Sequence, residues 1–434
     1  MNASDRSVQA SPWTIVVALS LLLGLQPIAT DLYLPALPQM QRELGWQPAQ
    51  TTWTLSALIL AFGIGQLVWG PISDRLGRKP VLLSGLGLFV AASAMTVGST
   101  SLPAMVAARA LQGAALAASV MCGRAIIRDL YPPEEGAKVM AKAMGGLGAL
   151  ALCGPILGSQ AAVHAGWRTT LAIVGVFGLL TWLYVLLRLP ESWPAHRRPP
   201  AVAWSALTRQ WLQISAQPPF RAHAMLTAST YGGLYCYLAL SAFVFIDTLQ
   251  VERSHYGLVM ASISLVYILG TLACRASLGR SGLVATVRLA GRVSMFAAAS
   301  LVLVLLWQVM LMAEPNGWPA LSQPAARHVP AWSLLPCLWL YAFAHGIHQP
   351  CGQTGVVSAF PKTAGAASAL SGFLLASTAV AIGALLSMWT AHPTFHDAFF
   401  PMTVGLMLGA FTTGRVALGR VQRDGAPPLI EEPA

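Results

Sequence analysis

Three charged residues interrupt long apolar stretches of the sequence: Asp31, Arg109 and Arg124. An ionisable side chain inside a bilayer is costly, and it usually marks the path of an ion or a substrate. Asp31 lies about 17 residues into the first apolar stretch, hence ~25 Å from the inner membrane surface at 1.5 Å per residue. Arg109, which enters from the opposite side, lies ~20 Å from that surface. The two side chains are therefore expected at similar depth.

Asp31 and Arg109 together are predicted to form a proton-coupling site. Desolvation disfavours a charged carboxylate whereas a nearby cation favours it, so such a group changes its protonation with its surroundings. A guanidinium stays charged and holds a fixed positive field. Two alternatives stay open: Asp31 caps a turn before Pro35 and Pro38, or Arg109 binds backbone carbonyls of the first span. Arg124, near the inner end of its stretch, can reach water and is read as structural.

The apolar stretches that carry these charges recur along the whole chain. Of the 434 residues, 56% are hydrophobic and 9% are charged, whereas a soluble protein carries about 25% charged residues. A membrane-spanning helix needs about 20 apolar residues. The sequence therefore predicts an all-α membrane protein with twelve spans, at residues 14–37, 52–72, 80–99, 103–127, 138–162, 168–188, 222–248, 256–276, 284–311, 333–357, 364–391 and 397–418.

Charge and cysteine content argue against several other classes of protein. The net charge is +11, but the basic residues stand between apolar stretches, so no nucleic-acid partner is expected. The six cysteines lie inside apolar stretches without the paired spacing of a zinc site. No catalytic constellation or nucleotide-binding loop is visible. We therefore predict no metal, no cofactor and no enzymatic activity, and a receptor without transport is the weakest alternative.

The distribution of lysine and arginine predicts the orientation of the chain. With the N-terminus inside, the inner loops and ends hold twenty of these residues, and the outer loops hold only Arg42, Arg168, Arg253 and Arg327. Inner loops carry the excess in membrane proteins, so both termini are expected in the cytoplasm. The first apolar stretch is too long for a signal peptide and is expected to remain as the first span.

A basic, proline-rich stretch (PESWPAHRRPP) separates the first six spans from the last six. It predicts an N-terminal half at residues 1–188, a cytoplasmic linker at 189–221 and a C-terminal half at 222–434. The tripeptide Leu-Gly-Arg occurs at 76–78, after the second span, and again at 278–280, after the eighth. This repeat supports two pseudo-symmetric six-helix halves.

The stretch from residue 70 to residue 80 (GPISDRLGRKP) resembles the signature loop between the second and third helices of the major facilitator superfamily. Glycines permit a tight reversal and close helix contact. The resemblance implies a monomeric transporter that works by alternating access, in which this loop acts as a gate. The implied gating residues are Gly70, Asp74, Gly77, Arg78 and Lys79.

Two further segments resemble motifs of the same superfamily. Residues 109–113 (RALQG) are similar to a motif whose arginine is linked to proton transfer, and Gly154, Pro155 and Gly158 match the antiporter motif. Glycines allow close packing there, and the proline makes a bend. The chain departs from the antiporter pattern at Ser159 and at residue 150, where glycine is common.

Residues 31–38 (DLYLPALP) and 348–370 resemble the Bcr/CflA family of bicyclomycin and chloramphenicol resistance exporters. The superfamily arrangement places the first, fourth, seventh and tenth spans around a central cavity. Apolar walls with a few polar groups suit a moderately lipophilic molecule. The candidate cavity residues are Gln26, Tyr33, Gln112, Tyr235, Tyr237, His345 and Gln349. Packing or lipid contact is the alternative for each aromatic residue.

The sequence therefore predicts proton-coupled export of drugs or drug-like small molecules across the bacterial inner membrane. Asp31 and Arg109 would couple protons to transport, and Asp74 and Arg78 would act in the gate. The alternative on the same fold is symport uptake, or export, of a specific metabolite or nutrient.

Overall fold

The structure, a computed structural model, describes residues 11–194, 204–312, 329–390 and 398–424. Both chain termini and the middle of the predicted linker lie outside these ranges. So do four of the arginines that were used to predict the orientation of the chain: Arg6, Arg197, Arg198 and Arg327. Within them, the chain forms helices with the bounds α1 Pro12–Thr30, α2 Leu37–Leu44, α3 Pro48–Leu76, α4 Arg78–Gly98, α5 Leu102–Leu130, α6 Pro133–Ala165, α7 Trp167–Arg188, α8 Trp204–Ala216, α9 Pro218–Ala242, α10 Arg253–Met312, α11 Leu335–Ser358, α12 Ala364–Thr390, α13 Phe399–Arg415 and α14 Val421–Asp424.

Ten segments of the described chain are long and apolar enough to cross a membrane. One of them, α10, has 60 residues and consists of two helices joined at a kink at Gly282, where φ is 74°. At 1.5 Å per residue a single straight helix of this length would be ~90 Å long, about three times the hydrocarbon thickness, which is too long for one span. The two parts of α10 on either side of Gly282 therefore account for two spans. The 24-residue α11 is long enough for one more, although its polar residues and Pro350 lower its hydropathy. The twelve spans predicted from the sequence are thus present.

The first predicted span, 14–37, is not one straight helix. The α-helix α1 ends at Thr30, a short 3₁₀ turn follows at Leu34–Ala36, and α2 then begins. Prolines lack the N–H that would continue the hydrogen-bond ladder, and Pro35 and Pro38 stand at this break. Asp31 is the C-cap residue of α1, and its N–H donates to the carbonyl of Pro27 at 2.7 Å.

Polar contacts between the helices before the linker and those after it lie mainly at one end of the molecule. At this end, here called the Asp247 end, Arg42 pairs with Asp247 at 2.8 Å. The hydroxyls of Thr52 and Ser387 lie 3.1 Å apart. At the opposite end, here called the Arg78 end, Arg124 donates to the Ser368 hydroxyl at 3.2 Å. Polar contacts between the two sets of helices therefore concentrate at the Asp247 end.

Part of the predicted linker is helical, which the sequence analysis did not anticipate. The helix α8 buries Ile214 in a cluster with Phe220 and Val356, while Trp204 is 53% and Leu212 is 70% exposed. One face of α8 thus packs on the C-terminal helices and another displays apolar side chains.

Candidate functional site

Arg109 is fully buried on α5 and holds its charge through hydrogen bonds and a ring contact. It donates to the side-chain oxygen of Gln112 at 2.6 Å and to the carbonyl of Ala29 on α1 at 3.0 Å. Its guanidinium lies over the ring of Tyr33, 4.4 Å from the centroid, a favourable cation–π position. The contact with Ala29 is a hydrogen bond to a backbone carbonyl of the first span, which is the structural role that the sequence left open for Arg109. Because its Nε has no hydrogen-bond partner, the group keeps unused donor capacity.

The partners of Arg109 are themselves fixed by further hydrogen bonds. Gln112 donates to the Ser93 hydroxyl at 2.7 Å, and this links α5 to α4. The Tyr33 hydroxyl is hydrogen-bonded to Thr54 of α3 at 2.8 Å. Buried hydrogen bonds of this kind hold side chains in one geometry, so Arg109 is positioned by contacts that lead to α1, α3 and α4.

Asp31 is half-buried at the end of α1, and the 3₁₀ turn that follows it, Leu34–Ala36, contacts α9 and α10. The hydroxyl of Thr30 donates to its carboxylate at 2.7 Å. Among the described residues no lysine, arginine or histidine forms an ion pair with it, so Asp31 and Arg109 are not directly paired. Its carboxylate lies within electrostatic range of Tyr231 and Tyr237 of α9 and of Tyr256 of α10. The carboxylate therefore stands between the two sets of helices.

The other candidate cavity residues divide into paired and unpaired groups. Tyr235 is hydrogen-bonded to Ser56 of α3 at 2.5 Å, across the two sets of helices. The side-chain oxygen of Gln349 has no partner, whereas the buried hydroxyl of Tyr237 lies beside Ser241 and Tyr256. Gln26 is half-buried on α1, and its carbonyl accepts from Thr30 at 3.0 Å. Unpaired buried polar atoms at such a site are available to a ligand.

The two histidines of α11 bind different neighbours. His345 is hydrogen-bonded to Thr230 of α9 at 3.0 Å, and His348 is hydrogen-bonded to Ser294 of α10 at 3.2 Å. Their rings are therefore committed to packing between helices. No group of three or more histidine, cysteine, aspartate or glutamate side chains in the described part of the chain is placed to hold a metal.

The predicted gating loop is built around a buried arginine. Arg78 begins α4, its side chain is 2% exposed, and it donates to Asp74 at 2.5 Å. It also donates to Asp129 of α5 at 2.9 Å, and the Asp129 side chain is 4% exposed. The reversal itself occurs at Gly77, where φ is 100°, a region that favours glycine. Asp129 was not singled out from the sequence, because nothing local marks its proximity to Arg78.

The remaining gating residues take different positions around the reversal. Gly70 lies one turn before Asp74 in α3, and a Cβ there would meet only Met121, at 3.5 Å. The ammonium of Lys79 donates to the carbonyl of Leu186 at 3.0 Å. The loop is thus tied to α7 as well as to α5.

The segment with the antiporter pattern lies at a crossing of α6 with α1 and α10. A Cβ on Gly158 would collide with the carbonyl of Leu32, just after α1, so only glycine permits this approach. Ser159, which replaces a motif glycine, donates to the carbonyl of Arg253 at the start of α10. Gly154 and Pro155 precede this contact by one turn within α6. The departure from the pattern thus adds a hydrogen bond between the two sets of helices.

Residues 19–384 match the family model of the Major Facilitator Superfamily, and the chain belongs to that superfamily. It is therefore a multi-pass transporter of small molecules in the bacterial inner membrane, and not an enzyme. The predicted fold class is confirmed.

Among curated proteins, the chain is 27% identical over 82% of its length to an uncharacterised MFS-type transporter, YdgK, of Bacillus subtilis, covering 85% of that protein. It is 25% identical to a chloramphenicol resistance protein of Pseudomonas aeruginosa, covering 98% of this chain and 96% of the relative. Among solved structures, the D-xylose-proton symporter superposes with a TM-score of 0.70 at 15% identity, covering 93% and 97% of the two chains. This last likeness concerns the fold.

Proposed function

We propose that this transporter is a member of the Bcr/CflA family that exports drugs or drug-like small molecules in exchange for protons. In this proposal residues 1–188 and 222–434 form two halves that rock around a central site, residues 189–221 link them, and both termini are cytoplasmic. The transporter works as a monomer. Protonation of Asp31 from outside favours return of the carrier, and deprotonation inside favours loading.

The observation that carries the proposal is the position of Asp31. It is a half-buried carboxylate inside a membrane span, without an ion-pair partner in the described part of the chain, and it faces tyrosines of the opposite helices. An unpaired carboxylate in a low-dielectric site binds a proton readily and loses it when its surroundings become polar. Rocking of the helices changes those surroundings, which is what coupling requires.

Arg109 takes the role of a fixed positive charge behind the site. Its hydrogen bonds to Gln112 and Ala29 hold it away from Asp31, so the carboxylate is not neutralised by it. The cation still favours the charged form of a nearby carboxylate or of an anionic ligand group. We assign to the substrate the unpaired amide oxygen of Gln349 and the buried hydroxyl of Tyr237.

The similarity to a chloramphenicol resistance protein of Pseudomonas aeruginosa supports drug export. Symport uptake, or export of a specific metabolite, is the second candidate on the same fold. Accumulation of a labelled nutrient only in cells that carry the gene would favour uptake.

The test is intracellular accumulation of chloramphenicol, a sulfonamide and a cationic dye in an efflux-deficient bacterium at several external pH values. We expect the wild type to lower accumulation of at least one compound, and Asp31→Asn to abolish this effect because asparagine cannot bind and release the proton. Glu252→Gln is a matched control, since Glu252 is an exposed carboxylate paired with His255. Normal export by Asp31→Asn with unchanged pH dependence would refute proton coupling at this residue.

A further inference from the structure

The start of α4 lacks a capping side chain of its own and uses one from the end of the sixth span. Gly77 is the N-cap residue of α4 and provides no side-chain acceptor. The carboxylate of Glu191 accepts instead from the backbone N–H of Arg78 at 2.9 Å and of Lys79 at 3.2 Å. Free N–H groups and the helix dipole at a helix start favour an anion there. Glu191 therefore caps α4 from 113 residues away.

Trp193, two residues later, contacts Asp74 and Arg78 of the gating loop. Its indole N–H donates to the backbone carbonyl of Asp74 at 2.9 Å. Its ring lies against the guanidinium of Arg78, with 5.1 Å from Cζ to the ring centroid. The backbone N–H of Trp193 donates to Glu191 at 2.9 Å, so the two residues form one unit. Between them Ser192 reaches toward Asp129 at 3.4 Å.

Residues 191–193, here called the linker clamp, thus bind the end of α3, the start of α4 and the end of α5 together. The clamp directly precedes residues 195–203 of the predicted linker, so it joins the gating loop to the segment that connects the two sets of helices. Among the described contacts, Asp74 and Arg78 bind partners within the N-terminal helices, and this arrangement accompanies closure at the Asp247 end.

We propose that Glu191 and Trp193 are positioning residues of the gate, which hold the gating loop in the arrangement that accompanies closure of the Asp247 end. The proposal rests on alternating access as proposed above. Loosening the clamp frees the charged groups of the loop and shifts the equilibrium toward the state that is open at the Asp247 end. A ligand or a substitution can shift such an equilibrium only through contacts that differ between its states.

The test measures closure directly, without a substrate. Thr52→Cys and Ser387→Cys replace two hydroxyls that lie 3.1 Å apart across the Asp247 end, which suits disulfide formation in the closed state. A protease site placed within residues 195–203 separates the two sets of helices, so a full-length band after cleavage reports the cross-link. The same protein without the two introduced cysteines shows whether native cysteines contribute.

Two clamp variants and one control are compared in this background. Trp193→Phe keeps the ring against Arg78 and removes the N–H that donates to Asp74. Glu191→Gln keeps one acceptor oxygen and removes the charge. Trp204→Phe is the control, because it removes an indole from the exposed side of α8.

The net contribution of one hydrogen bond corresponds to about a fivefold change in the equilibrium constant, so we expect Trp193→Phe to slow cross-linking by up to about fivefold, and Glu191→Gln to slow it at least as much. Trp204→Phe should leave the rate unchanged. Equal rates in all four proteins would overturn the proposal. So would loss of both clamp variants from the membrane fraction, since the clamp would then serve folding and not gating. Because the measurement needs no substrate, its outcome is distinct from a failure of drug export.

Discussion

The substitution Asp129→Asn tests how much the buried ion pair between Arg78 and Asp129 contributes to the free energy of unfolding. Arg78 and Asp129 meet at 2.9 Å with side chains that are 2% and 4% exposed. Asparagine has the size of aspartate but not its charge, so Arg78 keeps a buried charge with a weaker partner. Removal of one partner from a buried pair costs about 3–5 kcal/mol. Asp74 still accepts a hydrogen bond from Arg78 at 2.5 Å. We therefore expect Asp129→Asn to lower the free energy of unfolding by the smaller amount in this range, about 3 kcal/mol.

A matched ion pair at the other end of the molecule provides the comparison. Arg42 and Asp247 lie at 2.8 Å with side chains that are 55% and 36% exposed. Water screens such a pair, and its loss costs about 1 kcal/mol or less. The midpoint of thermal unfolding in detergent, measured for the wild type, Asp129→Asn and Asp247→Asn, should therefore fall far more for Asp129→Asn. Equal shifts for the two variants would show that burial does not set the strength of these pairs.

Two further predictions concern close contacts. Gly158→Ala places a methyl group against the carbonyl of Leu32 and should cost about 1–3 kcal/mol. Gly154→Ala should be tolerated, because its methyl group meets only a flexible side chain at 3.6 Å; equal yields of folded protein from both variants would contradict this. The sulfurs of Cys274 and Cys351 lie 3.4 Å apart, so the thiol oxidant diamide should join them, and peptide mass spectrometry after digestion would detect a disulfide that needs only a small approach.

The spans could be predicted from the sequence because the bilayer imposes a minimum apolar length on each helix. The gating loop was also recognisable, since its reversal needs a glycine and its charges follow within a few residues. The break after Thr30 was less visible. The apolar pattern continues through it, and only Pro35 and Pro38 signal that the hydrogen-bond ladder stops.

The contacts of the buried charges could not be predicted from the sequence. Arg109 and Asp31 were expected at similar depth, but depth does not say which way a side chain points, and the two face different neighbours. Glu191 and Trp193 were read as part of a polar linker. The one local signal was Gly77 at the start of α4, which leaves a helix start without its own capping side chain.

The distance in sequence between Gly77 and Glu191 has a consequence for how the protein is made. The start of α4 leaves the ribosome long before the carboxylate that caps it, which lies 113 residues after Arg78. Until the chain has been synthesised beyond the sixth span, the backbone N–H groups of Arg78 and Lys79 lack the Glu191 carboxylate as their acceptor. The gating loop is therefore completed only when the last of the first six helices is in place, so its formation marks the end of N-terminal assembly.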